Sequence, residues 1–157
     1  MTLVRPFRDM DSEALAAIFF AAVREVSAQH YSAEQVEAWA PAPPDPAAYV
    51  RRAADGRVVL VAVDEADLPL AYGDFEADGH IDHFFCSPDR TRSGVSIALY
   101  EVLEALARRS GLERLHVDAS EPARRFFERR GFRMIERRDF PIRGVMIHNF
   151  RMDKSLT

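Results

Sequence analysis

Hydrophobic and polar positions follow changing periods along the chain, and each change of period marks a new element. A short apolar segment at residues 3–7 predicts a first strand, and apolar residues at helical spacing over residues 15–26 predict a helix. Ser32 and Gln35 have the spacing of a capping box, which predicts a short second helix over residues 32–39. We assign the apolar face of the first helix to core packing.

The middle of the chain changes from helical to strand-like patterns. Prolines at residues 41–46 exclude a regular helix or a central strand and predict a surface loop, with one or two helical turns over residues 47–53 behind it. Apolar runs at residues 58–63, 70–76 and 80–86, separated by turn residues, then predict three consecutive strands.

The last third of the chain returns to alternating elements. Apolar residues at helical spacing over residues 95–106 predict the best-defined helix of the chain. A strand at residues 112–117, a helix capped by Ser120 and a two-stranded hairpin over residues 132–152 follow it. Three strands in succession contradict a doubly wound dinucleotide fold, in which strand and helix alternate throughout, but they fit an α/β fold of the α+β kind.

Length and composition indicate an ordinary globular protein. The 157 residues are in the usual range of one domain, so we expect a single domain over residues 1–157. The lone cysteine, Cys86, cannot form a bridge within the chain, and the N-terminus lacks the features of a secretory signal. Charges interrupt every hydrophobic run, so we expect a cytoplasmic protein that does not span a membrane.

The net charge of −4 argues against a general nucleic-acid binder. Arginine is nevertheless frequent past the midpoint of the chain, which leaves two interpretations. One is a solvated face balanced by nearby glutamates, and the other is a patch that faces a phosphorylated ligand. The arginines concerned are Arg124, Arg125, Arg129, Arg130, Arg133, Arg137, Arg138 and Arg143.

The most informative segment joins the strand at residues 80–86 to the following helix. A tight loop that opens a helix at Gly94 directs unpaired backbone N–H groups at one point, and the helix dipole adds to their effect. Such a loop suits a pyrophosphate, although an ordinary strand-to-helix connection is also consistent with the pattern.

Two motifs in this region resemble those of the GNAT superfamily of N-acetyltransferases. The loop aligns with that superfamily's acetyl-CoA signature, [Gln/Arg]-x-x-Gly-x-[Gly/Ala], and a later segment, Ser120 to Phe132, resembles its Asn-x-x-Ala-x-x-[Phe/Leu]-Tyr-Glu-x-x-Gly-Phe pattern. With the matching order of elements, the resemblance covers nearly the whole chain. The loop residues are Thr91, Arg92, Ser93, Gly94, Val95 and Ser96.

The resemblance implies a mixed, twisted sheet of about six to seven strands flanked by helices. Its two central strands, at residues 80–86 and 112–117, would splay apart around the pantetheine arm of acetyl-CoA. Backbone groups of Phe84, Phe85 and Cys86 would then bind that arm, and the loop N–H groups would bind the pyrophosphate. Ser120 and Phe127 would complete the cofactor site. The resemblance also makes a homodimer an expectation.

Three positions depart from the superfamily pattern. Thr91 replaces the usual Gln or Arg, and Ser96 replaces a Gly or Ala, which predicts adjusted or weakened cofactor binding. Phe127 stands where many members have a tyrosine that protonates the departing thiolate, and phenylalanine cannot donate a proton. These departures together motivate the alternative of a non-catalytic module that binds acyl-CoA.

Acetylation of an amine needs a neutral nitrogen, so a base is required. By the resemblance Asp82 is the favoured candidate, acting through water, with His80 as a weaker one; a structural role for Asp82 is the competing interpretation. His80 and His83 would point to opposite faces of a regular strand, so we predict no metal site. Direct attack of the amine on the thioester needs no cysteine nucleophile.

The acceptor pocket of this superfamily usually lies before the sheet, where Tyr31 and Trp39 are candidate lining residues; core packing explains Trp39 equally well. The favoured function is therefore acetyl transfer to an amine of a small molecule, an amino acid or a peptide. An arginine-rich RNA-binding module is a third interpretation, which the net charge disfavours.

Overall fold

The computed structural model describes residues 2–157, and this part of the chain forms eight strands and five α-helices. The strands are β1 (Leu3–Pro6), β2 (Val58–Val63), β3 (Pro69–Phe75), β4 (His80–Ile81), β5 (Phe84–Cys86), β6 (Arg114–Ala119), β7 (Arg133–Ile142) and β8 (Val145–Ser155). The helices are α1 (Ser12–Ala21), α2 (Ala33–Trp39), α3 (Pro46–Ala53), α4 (Val95–Arg109) and α5 (Glu121–Arg129). Within residues 2–157, no helix combines the length and the apolar character needed to cross a membrane.

The strands form two four-stranded sheets that meet in the middle of the molecule. One sheet has the order β1-β2-β3-β5, and the other has the order β4-β6-β8-β7. The short β4 pairs with β6 in parallel, whereas the other strand pairs are antiparallel. This mixed architecture confirms the predicted fold class.

The prediction of a single strand at residues 80–86 is wrong, because the strand is interrupted between β4 and β5. The cause is Asp74 at the end of β3, whose Oδ1 accepts the backbone N–H groups of both Asp82 and His83 at 2.9 Å. A buried carboxylate thus takes two donors that would otherwise enter a strand ladder. Consequently β4 pairs only with β6 and β5 only with β3, and the two sheets part at this point.

The N-terminal helices follow the predicted order with one change. The helix predicted to extend to residue 26 ends as an α-helix at Ala21 and continues as a π-helical turn, Ala22–Val26. The capping box is confirmed, because the Ser32 hydroxyl accepts the Gln35 N–H at 3.1 Å at the start of α2. Ser120 occupies the N-cap position of α5, but its side chain makes no capping hydrogen bond.

The main hydrophobic core lies between α4, α5 and the two sheets and fixes the floor of the central cleft. Leu99 and Leu103 on α4, Leu115 on β6 and Met152 on β8 are completely buried in it. Burial of each such side chain stabilises the fold by about 1.5–3 kcal/mol. A separate cluster packs α2 against the β7–β8 hairpin and includes Tyr31 and Ile147. The core therefore holds both sides of the cleft in place independently of any ligand.

Candidate active site

A cavity of about 380 Å³ lies where the two sheets part. Its lining residues come from β4, β5 and the break between them, from β6, from the start of α5 and from the β7–β8 hairpin. Aromatic side chains close the end of the cavity that lies near α2. The lining residues are Phe19, Tyr31, Trp39, His80, Ile81, Asp82, His83, Phe84, Phe85, Val117, Asp118, Ala119, Ser120, Ala123, Phe127, Arg138, Phe140, Ile142, Ile147, His148 and Asn149.

This cavity brings together most of the site residues predicted from the sequence. Those that line it are Tyr31, Trp39, His80, Asp82, Phe84, Phe85, Ser120 and Phe127. Cys86 and the loop residues Thr91, Arg92, Ser93, Gly94, Val95 and Ser96 are not among the lining residues. The regular alternation from which His80 and His83 were expected to point to opposite faces does not apply, because the strand break lies between them; both residues line the cavity.

The loop before α4 has the geometry of an anion site. Arg92 and Gly94 both have left-handed backbone angles, with φ of +62° and +90°, and the first intrahelical hydrogen bond runs from the Ala98 N–H to the Gly94 carbonyl at 3.0 Å. The N–H groups of Val95 and Ser96 precede that bond and have no acceptor inside the helix. They therefore remain open to an anionic ligand at the positive end of the helix dipole.

Cys86 at the end of β5 faces this loop. Its Sγ lies 3.5 Å from the Ser87 carbonyl oxygen and is also hydrogen-bonded with the Ser96 hydroxyl. Burial raises the pKa of the thiol, so the reactive thiolate is disfavoured. The hydroxyl that distinguishes Ser96 from the usual glycine or alanine is thus directed at the strand.

Asp82 belongs to an ion-pair network beneath the strand break. Its Oδ2 accepts hydrogen bonds from Arg52 at 2.8 Å and from Arg57 at 3.1 Å, and both arginines also reach the buried Asp74. Burial opposes ionisation of Asp82, but the arginine contacts outweigh it, and the pKa of Asp82 lies below its ordinary value. Asp82 is therefore a stable carboxylate and a weak proton acceptor.

His83 lies in the strand break, immediately before β5, and ends a chain of hydrogen-bonded side chains. Its Nδ1 lies 2.9 Å from the Tyr72 hydroxyl, which lies 2.9 Å from the Tyr49 hydroxyl. Burial among aromatic rings, with a smaller effect from the positive charge of Arg52, lowers the pKa of His83 to about 4. The imidazole is therefore neutral at pH 7 and offers a lone pair.

His80 is held by carboxylates on the other side of the break. Its Nδ1 lies 2.7 Å from Glu76 Oε1, and its Nε2 is 3.8 Å from Asp118 on β6. Asp118 in turn forms an ion pair with Arg138 at 2.7 Å. These contacts place opposite charges along the polar side of the cavity.

A third histidine of the cavity, His148, lies on β8. Its Nε2 is in very close contact with Glu121 Oε2 at the first position of α5. The buried Tyr31 hydroxyl connects the two residues: it donates to the His148 carbonyl at 2.8 Å and accepts the Glu121 N–H at 2.9 Å. Next to them, Asn149 has a buried Oδ1 without a hydrogen-bond partner in residues 2–157.

Phe127 is almost completely buried, with 1% of its surface exposed, and presents only hydrocarbon to the cavity. Its ring packs edge-on against Phe84 of β5 and Phe132. No hydroxyl is present at the position where the resemblance implies a proton donor.

Sequence reasoning missed the partners that give these side chains their properties. Asp74, Arg52 and His148 lie in segments without a motif, and Glu121 occupies an unspecified position of the second motif. Their pairings connect residues that are 22 and 27 positions apart along the chain. One signal was visible, since a charged residue inside the apolar run of β3 needs a partner. Within residues 2–157, no group of three or more His, Cys, Asp and Glu side chains could hold a metal ion.

Comparison with known proteins gives a consistent result. The family model described as an acetyltransferase (GNAT) domain matches residues 27–154. An uncharacterised N-acetyltransferase of Escherichia coli K12, YafP, is 35% identical over 149 residues, which is 95% of this chain and 93% of YafP.

Solved structures agree with this result. A GCN5-related N-acetyltransferase from Rhodopseudomonas palustris, also described as a class-II aminotransferase, has a TM-score of 0.90 at 35% identity, covering 99% of this chain and 96% of that one. The PaiA N-acetyltransferase of Thermoplasma acidophilum, solved with coenzyme A, has a TM-score of 0.78 at 14% identity and covers 99% of each chain. The second similarity concerns the fold alone.

Proposed function

The chain belongs to the GNAT family of acetyltransferases, and on that premise we propose that it transfers an acetyl group from acetyl-CoA to an amine. The amine attacks the thioester directly while both substrates are bound. The acceptor is a small molecule, an amino acid or a peptide amine.

One observation carries this proposal: the two sheets part at the strand break and leave a cavity between β5 and β6. One backbone edge of β5 has no strand partner in residues 2–157, so groups of Phe84, Phe85 and Cys86 are available to the amides of a pantetheine arm. The open N–H groups at the start of α4 suit a pyrophosphate. A fold neighbour solved with coenzyme A supports the same cofactor.

The acceptor enters from the opposite end of the cavity, between Tyr31, Trp39 and the β7–β8 hairpin. Rings and aliphatic side chains line this end, whereas Asp118, Arg138 and Asn149 supply its polar groups. We assign Tyr31 and Trp39 to the wall of the acceptor pocket, where their rings meet edge-on at 5.7 Å.

The proton of the attacking nitrogen needs an acceptor inside the cavity. Bond formation to the carbonyl carbon puts positive charge on the nitrogen and makes its proton far more acidic than that of a free ammonium ion. His83 is a weak base, with a pKa of about 4, but it has no ion pair to break, and the proton of the newly bonded nitrogen is acidic enough to transfer to it. We therefore assign the base to His83. Asp82 and His80, the candidates favoured by the sequence, are restrained by Arg52 and by Glu76 respectively.

A second candidate function is a module that binds acyl-CoA without turnover. Phe127 favours it, because its buried ring replaces the expected proton donor. The two functions share the cofactor site and differ only in whether a bound amine is acetylated.

Calorimetric titration with acetyl-CoA tests the cofactor site, and thiol release across primary amines, free amino acids and short peptides tests transfer. Binding with thiol release from one class of amine establishes the enzyme. Binding without release from any of them favours the acyl-CoA module, and the absence of binding contradicts both functions. In an active protein, His83→Gln should lose thiol release and retain acetyl-CoA binding, with Asp82→Asn as the comparison.

A further inference from the structure

The departing thiolate of coenzyme A needs a proton, and Phe127 cannot supply it. The cavity lies between the two sheets, so a side chain that lines it, or a water molecule held by such a side chain, is placed to donate this proton. The titratable lining residues are Tyr31, His80, Asp82, His83, Asp118 and His148. This inference rests on the proposed function.

Most of these groups are unsuited to donate a proton. Asp82 and Asp118 are carboxylates in ion pairs with arginine. His83 is neutral at pH 7 and accepts rather than gives a proton. The Tyr31 hydroxyl already donates to the His148 carbonyl, and burial raises the pKa of Tyr31. His80 lies between two carboxylates on the far side of the break.

His148 differs from all of them in how its two ring nitrogens are used. Glu121 contacts Nε2, whereas Nδ1 has no hydrogen-bond partner anywhere in residues 2–157. A carboxylate on one ring nitrogen fixes the orientation of the imidazole and leaves the other nitrogen free to exchange a proton. Glu121 is itself held in place as the first residue of α5, where its backbone N–H donates to the Tyr31 hydroxyl.

The position of His148 agrees with such a role. His148 contacts Tyr31 at the acceptor end of the cavity and also contacts Glu121 at the start of α5, the helix that carries Phe127, where the resemblance implies the thioester sulfur. His83 lies in the break before β5 and is bonded through its backbone to Asp74 of β3, in the other sheet. A proton donor and a proton acceptor therefore face the cavity from its two sides.

We propose that His148, oriented by Glu121, is the catalytic acid that protonates the coenzyme A thiolate as it leaves. The amine nitrogen forms its bond to the thioester carbon, and the carbon–sulfur bond breaks with its electron pair on sulfur. The Nδ1 proton of the His148 imidazolium then transfers to the sulfur. His148 recovers a proton from solvent, and His83 releases to solvent the proton that it took from the nitrogen.

Other charged groups around His148 are engaged with one another. Asp139 lies opposite His148 in the β7–β8 register and forms an ion pair with Arg137 at 3.1 Å. Arg124 of α5 packs over the neighbouring Phe150 ring and pairs with Glu128. Glu121 is thus the one charged group in contact with the imidazole among the residues that the structure describes.

The test uses coenzyme A itself as the probe, because the proton transfer must also run in reverse. The protein saturated with coenzyme A is titrated with base while thiolate absorbance is followed in the ultraviolet. A neutral His148 should take the thiol proton of coenzyme A. The midpoint of thiolate formation should therefore lie about one pH unit or more lower in the wild type than in His148→Gln. His30→Gln, at an exposed histidine outside the cavity, should titrate as the wild type does.

Glutamine has nearly the same shape as glutamate at the start of α5, so Glu121→Gln is the variant to measure if His148→Gln does not fold. Its midpoint should lie between those of the wild type and His148→Gln, because the imidazole remains but loses its carboxylate. With an amine that gives thiol release, His148→Gln should also lower kcat roughly 100-fold and remove the alkaline descent of its pH profile.

Coincident titrations of the wild type and His148→Gln, with coenzyme A bound to both, would overturn the assignment of His148 and leave the proposed function intact. Failure of the wild type to bind coenzyme A, measured by calorimetry, would instead remove the proposed function and this inference with it.

Discussion

The Asp74 carboxylate accepts the backbone N–H of His83 at 2.9 Å, across the point where the two sheets part. The same oxygen accepts the N–H of Asp82, and the other oxygen accepts a hydrogen bond from Arg52 at 2.7 Å. One buried side chain therefore creates the strand break, directs His83 and anchors the arginine that restrains Asp82.

Asp74→Ala should destabilise the protein by about 2–4 kcal/mol, because it leaves two buried N–H groups without an acceptor and removes a buried partner of two arginines. Chemical denaturation measures the loss. Asp55→Ala is the matched control, since Asp55 is an exposed partner of the same Arg57 and should change stability far less. Equal losses in the two variants would show that Asp74 acts only as an ion-pair partner.

His83 should make stability depend on pH in a defined window. The unfolded chain protonates this histidine near its ordinary pKa of 6.5, whereas the folded protein keeps it neutral down to about 4. The unfolded state therefore binds more protons between these values, and stability should fall as pH decreases from 6.5 to 4.

His83→Gln should flatten that slope, as measured by the free energy of unfolding at a series of pH values. A residual slope should remain from His116, whose pKa burial also lowers. Asp11, whose pKa is lowered from 3.8, contributes below the window, whereas Glu104, whose pKa is lowered from 4.5, adds to the slope near the lower edge of the window. His30→Gln should leave the slope unchanged, and an equal slope in His83→Gln would contradict the burial of a neutral ring.

Gly94 should matter for the cofactor beyond its contribution to stability. Its φ of +90° costs a residue with a side chain about 1–2 kcal/mol, so Gly94→Ala should destabilise the fold and distort the open N–H groups. We expect the affinity for acetyl-CoA to fall roughly ten-fold, measured by calorimetry.

Gly111 provides the matched comparison, because its φ is +84° and an added Cβ would likewise meet no atom within 4 Å. Gly111→Ala should lose similar stability and retain its affinity for acetyl-CoA. An equal loss of affinity in both variants would contradict a specific role for the loop.

Tyr31→Phe should cost about 1–3 kcal/mol of stability, since the His148 carbonyl and the Glu121 N–H both lose a partner. Tyr100→Phe, which removes a hydroxyl bonded only to Glu104, should cost less. Denaturation of both variants measures the difference. A smaller loss for Tyr31→Phe would mean that water replaces its hydroxyl readily.

The local sequence was sufficient to predict the elements that are determined by interactions between neighbouring residues. The run at residues 58–63 forms β2 as predicted, and Ser32 and Gln35 form their capping box. Helix α4 also begins at the predicted loop. In each case the deciding interaction lies within a few residues along the chain, so periodicity and capping rules apply directly.

The strand break could not be predicted in this way. Residues 80–86 have a pattern that fits one strand, and the interaction that divides them comes from Asp74, on a neighbouring strand. The catalytic pairing has the same character, because His148 and Glu121 meet only when β8 and α5 are packed together. The sequence around Asp82 likewise gives no sign of its partner Arg52, which lies on α3.

The Tyr31 hydroxyl has a consequence for the order in which the site is completed. Its donor, Glu121, lies 90 residues further along the chain, and its acceptor, His148, lies 117 residues further. During synthesis the helix that carries Trp39 is therefore made long before the strand that completes its wall. A nascent chain interrupted before β8 lacks the strand that completes this wall, so the proposed acceptor pocket forms only when almost all of the described chain has been made.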